Sequence, residues 1–168
     1  MLTMGVTVAQ KKSRLFPVAF LAAKATLAAL KLTNHEGGTL PGFIAEGIDP
    51  AFLGDIAKPE QIVFITGTNG KTTTTSLTTS ILQYAGLDAS AVGNIGLTIT
   101  DQLAERKPKS WFVAELSSFQ LATTQKLHPH VAMLLNITPD HLEWHGSLEA
   151  YAAAKEKIFA NLDANDLA

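Results

Sequence analysis

Thr66-Gly67-Thr68-Asn69-Gly70-Lys71-Thr72 joins an apolar run to a helical pattern and closes on a lysine and a threonine. Small residues let a backbone curl so that several N–H groups point inward at phosphate oxygens, and the helix that follows adds its positive dipole end. In such a loop Lys71 supplies a point charge to the outer phosphates and the Thr72 hydroxyl ligates Mg²⁺. The common phosphate-loop pattern also has glycine five residues before Gly70, where Ile65 stands, so this is a shorter variant. A plain turn before an ordinary helix is the alternative. Strand, turn, Lys-Thr and helix agree against it, and the loop reads as a nucleoside triphosphate site.

Two further groups can serve that site. Glu115 ends the apolar run 111–114, at the carboxyl edge of a strand, where open α/β sheets bind ligands and where a carboxylate can hold a Mg²⁺ bridging phosphates. A solvated strand-end glutamate is the plainer reading. Asn136-Ile137-Thr138-Pro139-Asp140-His141 closes the next apolar run in the same way. His141 is as well suited to a structural role as to ligating a metal, and Asp140 can orient water or the metal shell. His141 and His145 have zinc-helix spacing, but Leu142 occupies the position where zinc proteases carry glutamate, and Gly146 opposes a long helix. Ser117 and Ser118 lack a nucleophile elbow, which disfavours hydrolase chemistry. His35, His128 and His130 read as structural or surface residues. Lys155, among alanines on a predicted helix, reads from its chemistry alone as a surface lysine.

The elements that would position these groups follow from periodicity. Residues 61–65, 90–92, 111–116 and 131–137 are apolar runs of strand length. Helical patterns cover 71–84, 119–127 and 148–162. Buried strands alternating with helices predict an α/β fold, a parallel sheet of four strands with crossover helices. Most of the threonines from Thr73 to Thr79 read as ordinary helix positions without chemistry. Ahead of residue 61 the pattern differs: Phe20, Ala23, Leu27 and Leu30 predict a helix over 18–32, a turn-rich stretch spans 34–42, and a short helix covers 50–57. The division is thus a helical N-terminal segment, 1–60, and an ATP-binding unit, 61–168.

Composition narrows the class. The 168 residues are 46% hydrophobic and 17% charged, with net charge −2, so the chain can bury a core and has no field for wrapping nucleic acid. With no cysteine, disulfide scaffolds, thiolate zinc sites and cysteine nucleophiles are excluded. Lys11, Lys12 and Arg14 precede the apolar stretch 15–30, which is short for a membrane span and contains Lys24. A buried or partner-packed helix is the preferred reading, membrane-surface contact a weaker one, and export the weakest; the expected location is cytoplasmic.

Taken together, Thr66–Thr72, Gly93-Asn94-Ile95-Gly96, Glu115-Leu116-Ser117-Ser118-Phe119-Gln120-Leu121, Asn136–His141 with Gly146-Ser147, and Tyr151–Lys155 resemble the Mur ligase family, ATP-dependent ligases of peptidoglycan precursor synthesis. Their order and spacing over about residues 61–162 look most like the branch that adds D-glutamate to UDP-N-acetylmuramoyl-L-alanine. The resemblance implies that Gly67, Thr68, Asn69, Gly70, Lys71, Thr72 and Thr73 hold ATP. It implies that Thr72, Glu115, His141 and a carbamylated Lys155 hold Mg²⁺, and that Lys71, Lys155, His141 and Asn94 take part in catalysis. Asn94 and Ser117 would line the substrate and phosphate channel.

The implied chemistry is acyl activation: a substrate carboxylate takes the γ-phosphate of ATP, and an incoming amine displaces phosphate. The implied partners are a UDP-N-acetylmuramoyl-peptide and D-glutamate. Family members have a UDP-sugar domain first and an amino-acid domain last. Only 60 residues precede the first strand, so the expectation is a truncated central ATPase domain, inactive alone. Gly37-Gly38-Thr39-Leu40-Pro41-Gly42 resembles instead a relative that amidates lipid II glutamate with ammonia from a glutaminase partner, although that relative carries a four-cysteine zinc ribbon. A nucleotide-binding module without catalysis and a small-molecule kinase are the remaining alternatives.

Overall fold

The structure, a computed structural model, describes residues 14–32, 44–45, 47–49, 61–96, 98–99, 102 and 109–168. The expected turn at 34–42, the helix at 50–57, Lys11, Lys12 and His35 lie outside them. Among the described residues no helix is long and apolar enough to cross a membrane.

Four strands form one parallel sheet: β1 (Ile62–Thr66), β2 (Ala89–Gly93), β3 (Trp111–Glu115) and β4 (Val131–Leu134), in the order β2-β3-β1-β4. In register, Ile65 of β1 lies opposite Glu115 of β3 and Met133 of β4. β1 is buried along its whole length, as a central parallel strand must be. Strand periodicity splits it between two cores. Ile62 and Phe64 join Phe112, Ala114, Ala132 and Leu121 on one face, while Val63 and Ile65 join Val113, Leu82 and Met133 on the other.

The helices are α1 (Phe16–Leu32), α2 (Lys71–Tyr84), α3 (Ser118–Thr123), α4 (Leu142–His145) and α5 (Leu148–Glu156), the last tightening into a 3₁₀ turn, Lys157–Phe159. α1 lays Ala19 and Ala23, both fully buried, on the first core beside Phe16 and Phe20. α2 covers the opposite face and carries the chain from β1 out to the edge strand β2. The chain returns through β3 and crosses β1 to reach β4. This reversal places a crevice at the carboxyl ends of β1 and β3, the switch point where open sheets take ligands.

The structure corrects several boundaries. The third predicted helix stops at Thr123, because the hydroxyls of Thr123 and Thr124 both donate to the Gln120 carbonyl and Thr124 turns extended. β4 ends at Leu134, three residues before the predicted end. Beyond it the chain bends toward the phosphate loop: Leu135 N–H donates to the Thr66 carbonyl and Thr68 N–H to the Asn136 carbonyl. The last predicted helix, 148–162, is α5 plus the 3₁₀ turn and is shorter by three residues.

Candidate active site

The loop after β1 begins α2 at Gly70, whose φ of +80° is a left-handed conformation that glycine adopts without strain. No side chain caps this helix start. Its first N–H groups lack intrahelical partners by geometry and face the loop, which suits an anion. Lys71 arches back, its Nζ donating to the Thr68 carbonyl at 2.9 Å. Asn136 braces the loop from the β4 side: its Oδ1 accepts from the N–H groups of Thr68 (3.2 Å) and Asn69 (2.9 Å), and its Nδ2 donates to the Asn69 carbonyl. The Thr68 hydroxyl meets both the Thr138 backbone and the Tyr151 hydroxyl, the latter at 3.1 Å. Gly67 is buried and Thr73 exposed in the first turn of α2.

Glu115 closes β3 and is 2% exposed. Its two carboxylate oxygens have different partners: Oε2 accepts from the Thr72 hydroxyl at 2.9 Å, and Oε1 from Asn94 Nδ2 at 2.9 Å. Asn94 reaches it because Gly93 runs hard against β3; a Cβ on Gly93 would lie 2.3 Å from the Glu115 carbonyl oxygen. The donors here are a hydroxyl, a carboxylate and an amide, hard oxygen chemistry that fits Mg²⁺. Next in the chain, Ser117 caps α3 in a reciprocal capping box with Gln120.

A cavity of about 470 Å³ opens beside these groups, lined by Lys71, Asn94, Ser117, Asp140, His141 and Lys155 together with Ser118, Phe119, Gln120, Trp144 and Tyr151. Glu115 and Thr72 are not among the lining residues; Glu115 touches the lining through Asn94. His141 holds a left-handed backbone, φ +51°, at the start of α4, with its ring 4.9 Å from that of Phe119 and its Nε2 3.5 Å from Asp140 Oδ2. α4 is a single turn ended by Gly146, so His141 and His145 form no zinc helix. His145 instead shares a hydrogen bond with Ser118 Oγ at 2.9 Å. Burial first, then the charges of His141 and Lys155, hold its imidazole below the usual pKa.

Lys155 departs most from its expectation by chemistry alone. It is 1% exposed, with Nζ donating to the Gly67 carbonyl at 2.8 Å and lying 4.7 Å from the Tyr151 ring centre. Tyr151 and Lys155, one helical turn apart on α5, both reach the loop, at Thr68 and Gly67. Burial, reinforced by Lys71 and opposed by Asp140, pulls its pKa down to about 8. The fold thus gathers Lys71, Asn94, His141 and Lys155 around one cavity, with the Thr72–Glu115 pair joined to it through Asn94. Tyr151 and Asn136 emerge as the loop's braces. Tyr151 carried a readable signal, standing one helical turn before Lys155; the brace by Asn136 depends on the bend after β4, which no local pattern announces.

Residues 65–168 match the Mur ligase middle domain family. The chain belongs to the Mur ligase family. Curated relatives of this Mur ligase chain include UDP-N-acetylmuramoylalanine–D-glutamate ligases. The one from Koribacter versatilis (strain Ellin345) is 49% identical over 110 residues, 66% of this chain and 24% of the relative. The one from Geobacillus kaustophilus (strain HTA426) is 53% identical over 108 residues, 64% and 24% respectively. The chain therefore spans about a quarter of the length of these relatives. Among solved structures, MurF from Acinetobacter baumannii superposes with a TM-score of 0.53 at 24% identity, covering 74% of this chain and 29% of that one. MurF ligase from Thermotoga maritima in complex with ADP gives 0.53 at 22% identity, covering 68% and 29%. These likenesses show that the α/β fold of this Mur ligase is that of its family.

Proposed function

We propose that this chain forms the ATP-binding part of a ligase that makes an amide bond in peptidoglycan precursor synthesis, adding D-glutamate to UDP-N-acetylmuramoyl-L-alanine. The D-glutamate assignment draws on the relatives' names and on identities near 50%. The observation that carries the chemistry is the Thr72–Glu115–Asn94 cluster, joined through Asn94 to a cavity that Lys71 also lines.

In this reading the first N–H groups of α2, with Lys71, bind and orient the phosphates of ATP. Lys71 leaves the Thr68 carbonyl to do so. Thr72 and Glu115 hold Mg²⁺, and His141 with Lys155 holds a second ion from across the cavity. Bound there, Mg²⁺ would supply charge neutralisation for phosphoryl transfer to a substrate carboxylate, from which an amine then displaces phosphate. Lys155 offers no oxygen as an amine. Its depressed pKa leaves it partly neutral near pH 7, and a neutral amine takes up CO₂ to become an anionic carbamate ligand. Asn94 holds Glu115 in place and presents its carbonyl to the cavity, and Ser117 lines the path of the substrate. Phe119 and Trp144, in edge-to-face contact at 5.0 Å, form an aromatic side of the cavity.

Calorimetry of ATP binding to this chain, with and without Mg²⁺, tests the proposal. Mg²⁺-dependent binding that disappears in Lys71→Ala is expected. Binding indifferent to both Mg²⁺ and Lys71 would refute it.

A further inference from the structure

At the end of the sheet opposite the cavity, side chains gather that the ligase reading does not use. His128 and His130 lead into β4, and Asp163 and Asp166 lie on the segment whose Leu167 pairs alongside Val131. His128 Nε2 is 2.7 Å from Asp166 Oδ2 and 3.7 Å from Asp163 Oδ2, and His130 Nδ1 is 3.7 Å from Asp166 Oδ1. The Asp166 side chain is 3% exposed, those of His128 and His130 about a third, and Asp163 54%. His128, Asp163 and Asp166 are the one group of three or more His, Asp or Glu donors within 4.8 Å of one another among the described residues, and His130 stands beside them. β4 separates it from the phosphate loop by about 13 Å of strand.

A proton accounts for only part of this arrangement. It bridges His128 and Asp166, while Asp163 Oδ2 and His130 Nδ1 are left just beyond hydrogen-bonding reach of their neighbours in the cluster. A divalent cation with bonds of about 2.1 Å keeps its ligand atoms about 3.4 Å apart; the His128–Asp163 spacing of 3.7 Å is close to that, and the 2.7 Å His128–Asp166 pair would open on giving up its proton. The carboxylates are already oriented from behind, as ligands usually are: Asp163 Oδ1 accepts the Asn165 N–H at 2.8 Å, and Asp166 Oδ2 the Asp163 N–H at 2.8 Å. An imidazole with two carboxylates makes a nitrogen–oxygen set of borderline softness, which favours Zn²⁺-like ions over Mg²⁺.

We propose that His128, Asp163 and Asp166, with water completing the shell, form a divalent transition-metal site that fastens the segment 163–167 to β4, with His130 flanking it. It is structural and independent of the ligase reading. The test is Zn²⁺ calorimetry on the untagged chain, paired with the visible spectrum of its Co²⁺ form. One equivalent of Zn²⁺ should bind and raise the melting temperature, and Co²⁺ should give the intense bands of a four-coordinate site. His128→Ala and Asp163→Asn should each weaken binding about tenfold or more. Asp163→Asn keeps the His128–Asp166 hydrogen bond, so its fold is secure, and Mg²⁺–ATP binding measured in the same samples should be unchanged. No uptake of Zn²⁺, or uptake that survives both substitutions and is lost instead in His141→Ala, would overturn the proposal.

Discussion

Replacing Lys155 with methionine keeps the length of the side chain and removes its charge, so the pair of proteins isolates the electrostatic cost of burying an ammonium group. The amine titrates at 10.5 when the chain is unfolded and at about 8 in the native state, chiefly through burial and secondarily through Lys71. Below pH 8 both states hold the proton and the native state bears the full penalty. Between pH 8 and 10.5 the unfolded chain holds one proton more at this position than the native chain, so stability rises with pH. Above 10.5 neither holds it and the penalty is gone. The whole excursion is about 3 kcal/mol. Methionine has no such dependence but loses the hydrogen bond to Gly67, at about 1–3 kcal/mol. Lys155→Met should therefore match or exceed the parent in stability at pH 7 and fall below it at pH 10.5. Urea unfolding of both proteins at pH 7, 8, 9 and 10 in CO₂-free buffer measures the difference. A difference that stays flat across that range, or grows in favour of methionine as pH rises, would refute the reasoning.

Three other outcomes follow from the same geometry. With ¹³C-bicarbonate at pH 8, carbon NMR should show a carbamate resonance that Lys155→Met removes; a spectrum identical in the two proteins would mean that the amine is not reactive. Glu115→Gln keeps the size of the side chain and removes the charge that pairs with a cation, so the Mg²⁺ enhancement of ATP binding should fall about tenfold or more while Mg²⁺-free binding is little changed. Gly93→Ala must relieve both a φ of +95° and the 2.3 Å approach to the Glu115 carbonyl. It should cost about 3 kcal/mol or more, read as a melting temperature lowered by several degrees.

Periodicity made the scaffold readable. Apolar runs of strand length alternating with helical patterns were enough to anticipate four parallel strands, and strand–turn–Lys-Thr–helix located the loop between β1 and α2. Ends of elements were less readable, because they are fixed by distant partners: β4 stops where Asn136 turns to hold Thr68 and Asn69, some 67 residues earlier in the chain. Lys155 looked exposed because its alanine neighbours carry no sign of which surface they approach. The Glu115–Asn94 and His128–Asp166 pairs are closed by the sheet across 21 and 38 residues. The resemblance of short segments to a known family supplied what spacing alone did not, a reason to look at Lys155 at all.

The left-handed backbone at His141 sets two demands against each other at one position. A φ of +51° suits glycine or asparagine better than an imidazole-bearing residue, and holding histidine there costs about 1 kcal/mol. A library randomised at position 141 and sorted for folded yield alone would drift toward glycine and asparagine. With His141 holding a metal as proposed, the same library sorted for ligase turnover in a complete enzyme would return to histidine. The distance between the two winners would measure how much stability this chain gives up for its chemistry, a trade that neither selection reveals by itself.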